Sequence, residues 1–279
     1  MPSSAQPRAG DGRFTERTPR VATARALLRR RYRERAGRFL VEGAQAVREA
    51  LASGSVQELF LTERAAARHP DLRDAAGPPV SLITERAAAG LSETATPQGI
   101  VAVCATLTRP APEVLRGARL VAVLVAASDP GNAGTVIRVA DAAGADAVLF
   151  TGAGVDPHNG KCVRASTGSL FHVALGVQPD PLRAVAACRD AGLQVLAADA
   201  GAGRDLDDLL DTTVLAAPTA WLFGSEAHGL APVLLAAADG AVAVPLYGRA
   251  ESLNLGSAAA VCLYASAWAH RRKAAIPIT

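Results

Sequence analysis

Lysine is nearly absent from the 279-residue chain. Lys161 and Lys273 are the only two among 29 basic residues, and the rest are arginines. With so much alanine alongside, this is the bias of a GC-rich coding sequence, so no arginine is singled out merely for being arginine. Aromatic residues make up only 4%, although half of the chain is apolar. A core of any size must therefore be filled with Ala, Val and Leu. The four cysteines, Cys104, Cys162, Cys188 and Cys262, show no CxxC or Cys/His spacing. That excludes the usual structural zinc patterns and a disulfide framework, and favours reduced thiols; no metal is expected. A signal-peptide apolar core is missing from the N-terminus, and no apolar run approaches the roughly 20 residues that span a bilayer. The expectation is a soluble, cytoplasmic protein with no membrane partner.

Positive charge is present but unevenly spread. Residues 1–40 hold eleven arginines against Asp11, Glu16 and Glu34, a net +8; the whole chain is +3, which leaves −5 for the remainder. A basic arm on a mildly acidic body points to a polyanionic partner, most often nucleic acid, with a solvated charged tail as the plain alternative. Residues 1–18, rich in Pro, Gly, Ser and Arg, are predicted to form a disordered basic tail. A basic helix is predicted from about residue 19 ("PRVATARALLRRRYRERAG").

Short strands and helices alternate through residues 19–108, a compact α/β unit. "RPAPEVLRGA" (109–118) has the Pro and charge content of a linker. From 119 the strands become longer and more apolar: "RLVAVLVAA", "ADAVLF", "HVALGV", "LQVLAADA", "TAWLFG" and "GAVAVPL". Near-continuous apolar strands alternating with helices predict a parallel sheet covered on both faces. A last helix is predicted over 254–272.

Ligands in such sheets bind beyond the carboxyl ends of the strands. Four loops qualify: "SDPGNAGTVIR" (128–138), the polar stretch 151–171, "FGSEAHGL" (223–230) and "YGRAESLN" (247–254). "GVDPHNGKC" is not a phosphate loop, because five residues separate its glycines and Cys162 stands where Ser or Thr must reach magnesium. No G-x-G-x-x-G follows the first strand, and no G-x-S-x-G elbow occurs. Nucleotide hydrolysis, dinucleotide-dependent redox chemistry and serine hydrolysis are thereby disfavoured. Glycines with Asn, Arg, Ser and Glu suit cofactor binding by main-chain groups instead.

These loops resemble the three signature motifs of the SpoU/TrmH family of RNA 2′-O-ribose methyltransferases, in the SPOUT superfamily. "DPGNAGTVIRVADAAGADAVLF" resembles the first motif, "WLFGSEAHGL" the second and "VAVPLYGRAESLNLGSAAAVCLYA" the third. Upstream, "RFLVEGAQAVREAL" and "TPQGIVAV" resemble the small α/β, ribosomal-protein-like RNA-binding domain of ribosomal-RNA members. The resemblance spans roughly residues 20–272. It implies a parallel α/β sheet with a C-terminal trefoil knot over 119–279, a homodimer, and S-adenosylmethionine as cofactor. Such a knot would gather loops 197–201, 223–230 and 244–254 around one pocket. Gly224, Val244 and Leu253 fall at the family's cofactor-contact positions, with Pro245, Leu246, Ser252 and Asn254 lining the same pocket.

The resemblance assigns roles that stand beside plainer ones. Asn132 is a helix-cap or turn residue as well as a site residue. Arg138 interrupts an apolar stretch where a solvated side chain is unexpected. The family role gives it the ribose hydroxyl, acting across the dimer interface. Arginine is a poor base, with a pKa above about 12, so it is assigned phosphate clamping and stabilisation of the developing alkoxide, and proton abstraction stays unassigned. Glu226 is either a carboxylate at a helix N-terminus or a support for the first-motif region. Ser225 and Ala227 depart from the family's usual Asn or Ala and Gly. Arg164 is a candidate RNA-phosphate contact, as are Arg29, Arg30 and Arg31 on the basic helix, each with a solvated arginine as the alternative.

The implied activity is methyl transfer to an RNA ribose, with 23S-type ribosomal RNA as the substrate because of the N-terminal domain. A tRNA substrate, a base methyltransferase or an RNA-binding assembly factor without catalysis are the alternatives.

Overall fold

The computed structural model describes residues 13–210 and 212–275. The expected tail over 1–18 falls mostly outside these. Its last part does not behave as a tail: Phe14 bridges to Ile83, donating to Leu82 O and accepting from Thr84 N. The chain divides into two compact units between Thr106 and Leu107.

The first unit runs α1 (Pro19–Ala26), α2 (Arg30–Ala36), β1 (Arg38–Glu42), α3 (Ala44–Ala52), β2 (Val56–Thr62), α4 (Glu63–Arg68), α5 (Pro70–Arg73), β3 (Val80–Ile83), α6 (Glu85–Gly90) and β4 (Ile100–Ala105). Its sheet has the order β1-β4-β2-β3, antiparallel except for the β2–β3 pair. The sequence "TERAAA" occurs twice and does the same job each time. Thr62 Oγ1 accepts from Ala65 N, and Thr84 Oγ1 from Ala87 N, so each Thr caps a short helix whose first turn carries a favourable Glu.

The single basic helix expected from residue 19 is two helices. Val21, Ala24 and Leu27 are buried on one side, and the chain turns after Leu27. The turn is held by Arg33, only 4% exposed, whose Nη1 donates to Leu27 O at 2.9 Å and Leu28 O at 3.0 Å. The contact is local in sequence, but a buried arginine that turns back on the preceding helix reads as one more solvated basic residue.

The second unit runs β5 (Thr108–Pro110), α7 (Ala111–Val114), β6 (Leu120–Val125), α8 (Pro130–Ala143), β7 (Ala147–Thr151), α9 (Gly160–Ser166), β8 (Ala174–Gln178), α10 (Pro181–Asp190), β9 (Gln194–Ala198), β10 (Thr219–Phe223), α11 (Pro232–Ala237), β11 (Gly240–Val242) and α12 (Leu255–Ala275). The seven strands are parallel in the order β11-β9-β10-β6-β7-β8-β5. Every residue of β6, β7 and β10 is buried, which is why they read as apolar runs with a polar residue only at an end, Thr151 in β7 and Thr219 in β10.

Two expectations need correction here. The expected linker 109–118 belongs to this unit: β5 pairs with β8 in register Thr108↔Leu175, and Ala111 and Leu115 are buried in the core. The polar stretch 151–171 contains α9, whose N-cap Asn159 accepts from Lys161 N. Glycine decides how closely α9 lies on α8: a Cβ on Gly134 would run into Cys162 O.

Strand order reverses beside β6, where β7 and β8 lie on one side and β10 and β9 on the other. The carboxyl ends next to such a reversal are where open parallel sheets leave a crevice. Among the described residues no helix is long and apolar enough to cross a membrane.

Candidate active site

A cleft of about 480 Å³ opens at that switch point. Ala198, Asp199 and Ala200 reach it from the end of β9, and Phe223 and Gly224 from the end of β10. Val242, Val244 and Leu246 come from β11 and beyond, and Ser252, Leu253 and Asn254 from the start of α12. Asn132 and Glu226 complete the polar side. Three loops far apart in sequence therefore line one cavity.

Glu226 organises the polar side. Its carboxylate accepts from Ser128 N (3.0 Å), Ser128 Oγ (2.8 Å), Asp129 N (3.3 Å) and Asn132 Nδ2 (2.9 Å). Partial burial would raise its pKa, but the hydrogen bonds from Asn132 and Ser128 outweigh that and hold it at about 2. It is not a helix N-terminal carboxylate. It sits in a turn closed by reciprocal bonds between Ser225 and Gly229, and α11 begins only at Pro232. That turn forms with Ser225 and Ala227 in place. Gly224 is required for it, because a Cβ there would enter the backbone of Gly229.

Asn132 lies in the first turn of α8, whose cap is Asp129: Asp129 Oδ1 accepts from Asn132 N at 2.9 Å. Lys161 Nζ pairs with Asp129 Oδ2 at 2.6 Å, and this bond, with that from Asn132 N, holds the Asp129 carboxyl below its ordinary value. On its other side Asn132 Oδ1 accepts from Asn254 Nδ2 at 2.9 Å. A carboxylate only accepts, so Glu226 fixes which way the Asn132 amide points and hence which atom faces Asn254.

Asn254, not Ser252, is the cap of α12. Its Oδ1 accepts from Gly256 N at 2.8 Å and its carbonyl from Ala258 N at 2.9 Å. Gly256 lies against Thr135 of α8, where a Cβ would come within 2.7 Å of Thr135 Cγ2. The starts of α8 and α12 are thus fastened to each other and to the β10 loop.

Other sequence-predicted residues lie elsewhere. Arg138 is exposed on α8 and does not line the cleft. The apolar residues around it, Val136, Ile137 and Ala140, occupy the buried faces of the helix, while Thr135, Arg138 and Ala142 share the open one. The interruption is ordinary helical periodicity. Pro245 lines a second, largely apolar groove with Val244, Tyr247, Val261, Tyr264 and Trp268. Arg164 is half-buried on α9, and Arg29, Arg30 and Arg31 are exposed at the α1–α2 turn, Arg30 paired with Glu34 at 2.8 Å and Arg31 stacked on Tyr32. Sequence reasoning did not single out Asp199, Ser128, Asp129 or Lys161.

All four cysteines are free and buried, and burial pushes each thiol up to about 12. None is a nucleophile at neutral pH. Among the described residues no group of three His, Cys, Asp or Glu side chains could hold a metal ion.

Comparison with known proteins agrees with this geometry. Residues 119–264 match the SpoU rRNA Methylase family, and residues 18–102 match the MRM3-like substrate binding domain. The chain is 36% identical over 247 residues to the 23S rRNA (guanosine(2553)-2′-O)-methyltransferase RlmP of Bacillus subtilis, covering 88% of this chain and 94% of that protein. It is 32% identical over 281 residues to the 23S rRNA (uridine(2479)-2′-O)-methyltransferase of Streptomyces viridochromogenes, covering 90% of each. A crystal structure of an AdoMet-bound rRNA methyltransferase from Sinorhizobium meliloti superposes with a TM-score of 0.78 at 28% identity, covering 93% of this chain and 96% of that one. By its matched domain, its relatives and the three motifs gathered at one cleft, the chain belongs to the SpoU rRNA methylase family.

Proposed function

We propose that this protein is an S-adenosylmethionine-dependent RNA 2′-O-ribose methyltransferase that acts on large-subunit ribosomal RNA in the cytoplasm. The observation that carries the reading is the side-chain sequence Glu226–Asn132–Asn254, which ties all three motifs together at the mouth of one cleft.

The residues present fit the cofactor. The cleft lies within the roughly 300–1,000 Å³ of small-molecule sites. Its walls, Phe223, Val242, Val244, Leu246 and Leu253, are apolar, and among the described residues no basic side chain lines it to repel a cation. Gly224, Val244, Leu246 and Leu253 would hold the cofactor. When bound, S-adenosylmethionine supplies an electrophilic methyl on a sulfonium and leaves as the neutral thioether S-adenosylhomocysteine. Aligning a ribose oxygen with that methyl needs positioned polar groups rather than a metal or a protein nucleophile. Ser252 and Asn254 are the groups at the mouth, and Glu226 keeps Asn132 and Asn254 in one orientation.

Arg138 belongs in this site only from a second copy of the chain. It follows Asn132 by six residues on one helix, which turns it about 120° away from Asn132. In a homodimer the partner subunit's Arg138 clamps the RNA phosphate and stabilises the developing alkoxide. Support for the dimer comes from α12, where Val261 is 42% and Trp268 56% exposed on one stripe with Tyr264. The family's trefoil knot is part of this proposal, supported by the convergence of the β9, β10 and β11 loops. The first unit supplies RNA affinity through Arg29, Arg30 and Arg31, and Arg164 adds a phosphate contact.

The test is calorimetry with S-adenosylmethionine followed by methyl transfer to large-subunit RNA. Micromolar binding and transfer to ribose are expected, and absence of binding by the intact protein overturns the reading.

A further inference from the structure

Among the described residues the cleft is lined by two charged side chains, Asp199 and Glu226, and both are carboxylates. Their situations differ. Glu226 is engaged by Ser128, Asp129 and Asn132. Asp199 has its backbone fixed, with N donating to Val242 O at 3.1 Å and O accepting from Ala202 N at 3.1 Å. Its carboxylate has no hydrogen-bond or ion-pair partner among the described residues.

Asp199 follows directly on Ala198, the last residue of β9, and β9 lies between β10 and β11. The half-buried Asp199 therefore enters the lining from the end of the strand that lies between those leading to Gly224 and Val242. Phe223, Val242 and Val244 are apolar neighbours in the lining. Filling this cleft with a ligand removes water from a charge that the protein itself does not satisfy. Such burial is unfavourable unless the ligand brings a compensating charge or donor.

We infer that Asp199 is a cofactor-recognition residue that pairs with a cationic group of the bound cofactor. The inference rests on the reading of the cleft as a cofactor site. S-adenosylmethionine carries two cationic groups, the sulfonium and the α-ammonium. If the sulfonium is the partner, methyl transfer itself ends the attraction: the C–S bond breaks, its electron pair returns to sulfur, and the product is a neutral thioether. Asp199 then favours substrate over product and speeds product release. If the ammonium is the partner, substrate and product are held alike.

The experiment compares wild type with the near-isosteric Asp199→Asn by calorimetry, with four ligands. These are S-adenosylmethionine (both cations), S-adenosylhomocysteine (ammonium only), 5′-dimethylsulfonioadenosine (sulfonium only) and neutral 5′-methylthioadenosine. Asp199→Asn is expected to weaken S-adenosylmethionine about tenfold, equivalent to about 1.4 kcal/mol, and to leave methylthioadenosine unchanged, which also shows that the cleft is intact. A parallel loss for the sulfonium-only ligand identifies the sulfonium; a parallel loss for S-adenosylhomocysteine identifies the ammonium. Equal weakening of all four ligands makes Asp199 a ribose or adenine acceptor and overturns the inference, as does no weakening of any. Failure of the wild type to bind any of the four removes the cofactor-site reading and this inference with it.

Discussion

Asn132 and Asn254, 122 residues apart in the chain, meet side chain to side chain, with Asn254 Nδ2 donating to Asn132 Oδ1 at 2.9 Å. The same Asn254 caps α12 through Gly256 N. One residue therefore starts the last helix and joins the β11 loop to the first turn of α8. Stability and site geometry are coupled through it.

Asn254→Ala is accordingly expected to lower both at once. Loss of the cap costs about 1 kcal/mol, read as a drop in the thermal midpoint. Methyl transfer is expected to fall much further than cofactor affinity, because Asn132 Oδ1 loses the donor that ties it to the third motif and keeps only its bond to Glu226. A variant with wild-type turnover and only reduced stability would leave Asn254 a cap and nothing more.

The Glu226 cluster has a pH signature. Its carboxyl goes from an ordinary value of 4.5 to about 2 on folding. The unfolded chain takes up that proton first as pH falls, so the stabilisation is fully present above about pH 4.5 and is lost as pH drops from there through 2. Urea unfolding of wild type and Glu226→Gln should show a stability gap near pH 6 that narrows by pH 3. A gap independent of pH would mean that Glu226 acts through packing alone.

Two glycines, Gly224 just after β10 and Gly240 at the start of β11, give a contrast free of chemistry. A Cβ on Gly224 would enter the Gly229 backbone, whereas one on Gly240 has only Leu196 Cδ2 at 3.6 Å nearby. Gly224→Ala is expected to cost at least tenfold, on the order of 1.4 kcal/mol, in S-adenosylmethionine affinity, and Gly240→Ala close to none. Equal effects in calorimetry would contradict the tight turn at 224–229.

A composite site is tested by mixing inactive variants. Arg138→Ala keeps its cleft and Asn254→Ala keeps its arginine. If Arg138 serves the partner subunit, co-refolded mixtures regain activity, since a mixed dimer holds one complete site. If it serves its own subunit, every mixture stays inactive.

Arginines of the first unit separate into two kinds. Arg33→Ala removes a buried guanidinium bonded to Leu27 O and Leu28 O and is expected to cost about 2 kcal/mol or more of stability. Arg29→Ala and Arg31→Ala, both exposed, are expected to leave stability unchanged and to lower the salt dependence of RNA binding by about one unit of slope each. The opposite assignment in a combined unfolding and filter-binding series would refute it.

Much of the second unit was legible because its strands are buried on both faces. β6, β7 and β10 are apolar runs whose only polar residues, Thr151 and Thr219, stand at strand ends. β5 and α7 were misread as a linker, since "RPAPEVL" looks solvated until β5 pairs with β8 and Leu115 enters the core. α9 was hidden in a glycine-rich polar stretch, its helix decided by packing on α8. The motif residues were legible as loop residues in strand–loop–helix contexts. Asp199 was not, because one Asp after a strand is indistinguishable from a turn residue until the cleft shows it without a partner.

Ribose-methylation mapping tests the central claim most directly. Large-subunit RNA is incubated with the purified protein and S-adenosylmethionine, and every 2′-O-methylated nucleotide is located. The expected result is a new 2′-O-methyl group at a defined nucleotide, absent when Asn254→Ala replaces the wild type. A methyl group placed on a base, or no methylation despite bound cofactor, would contradict the account.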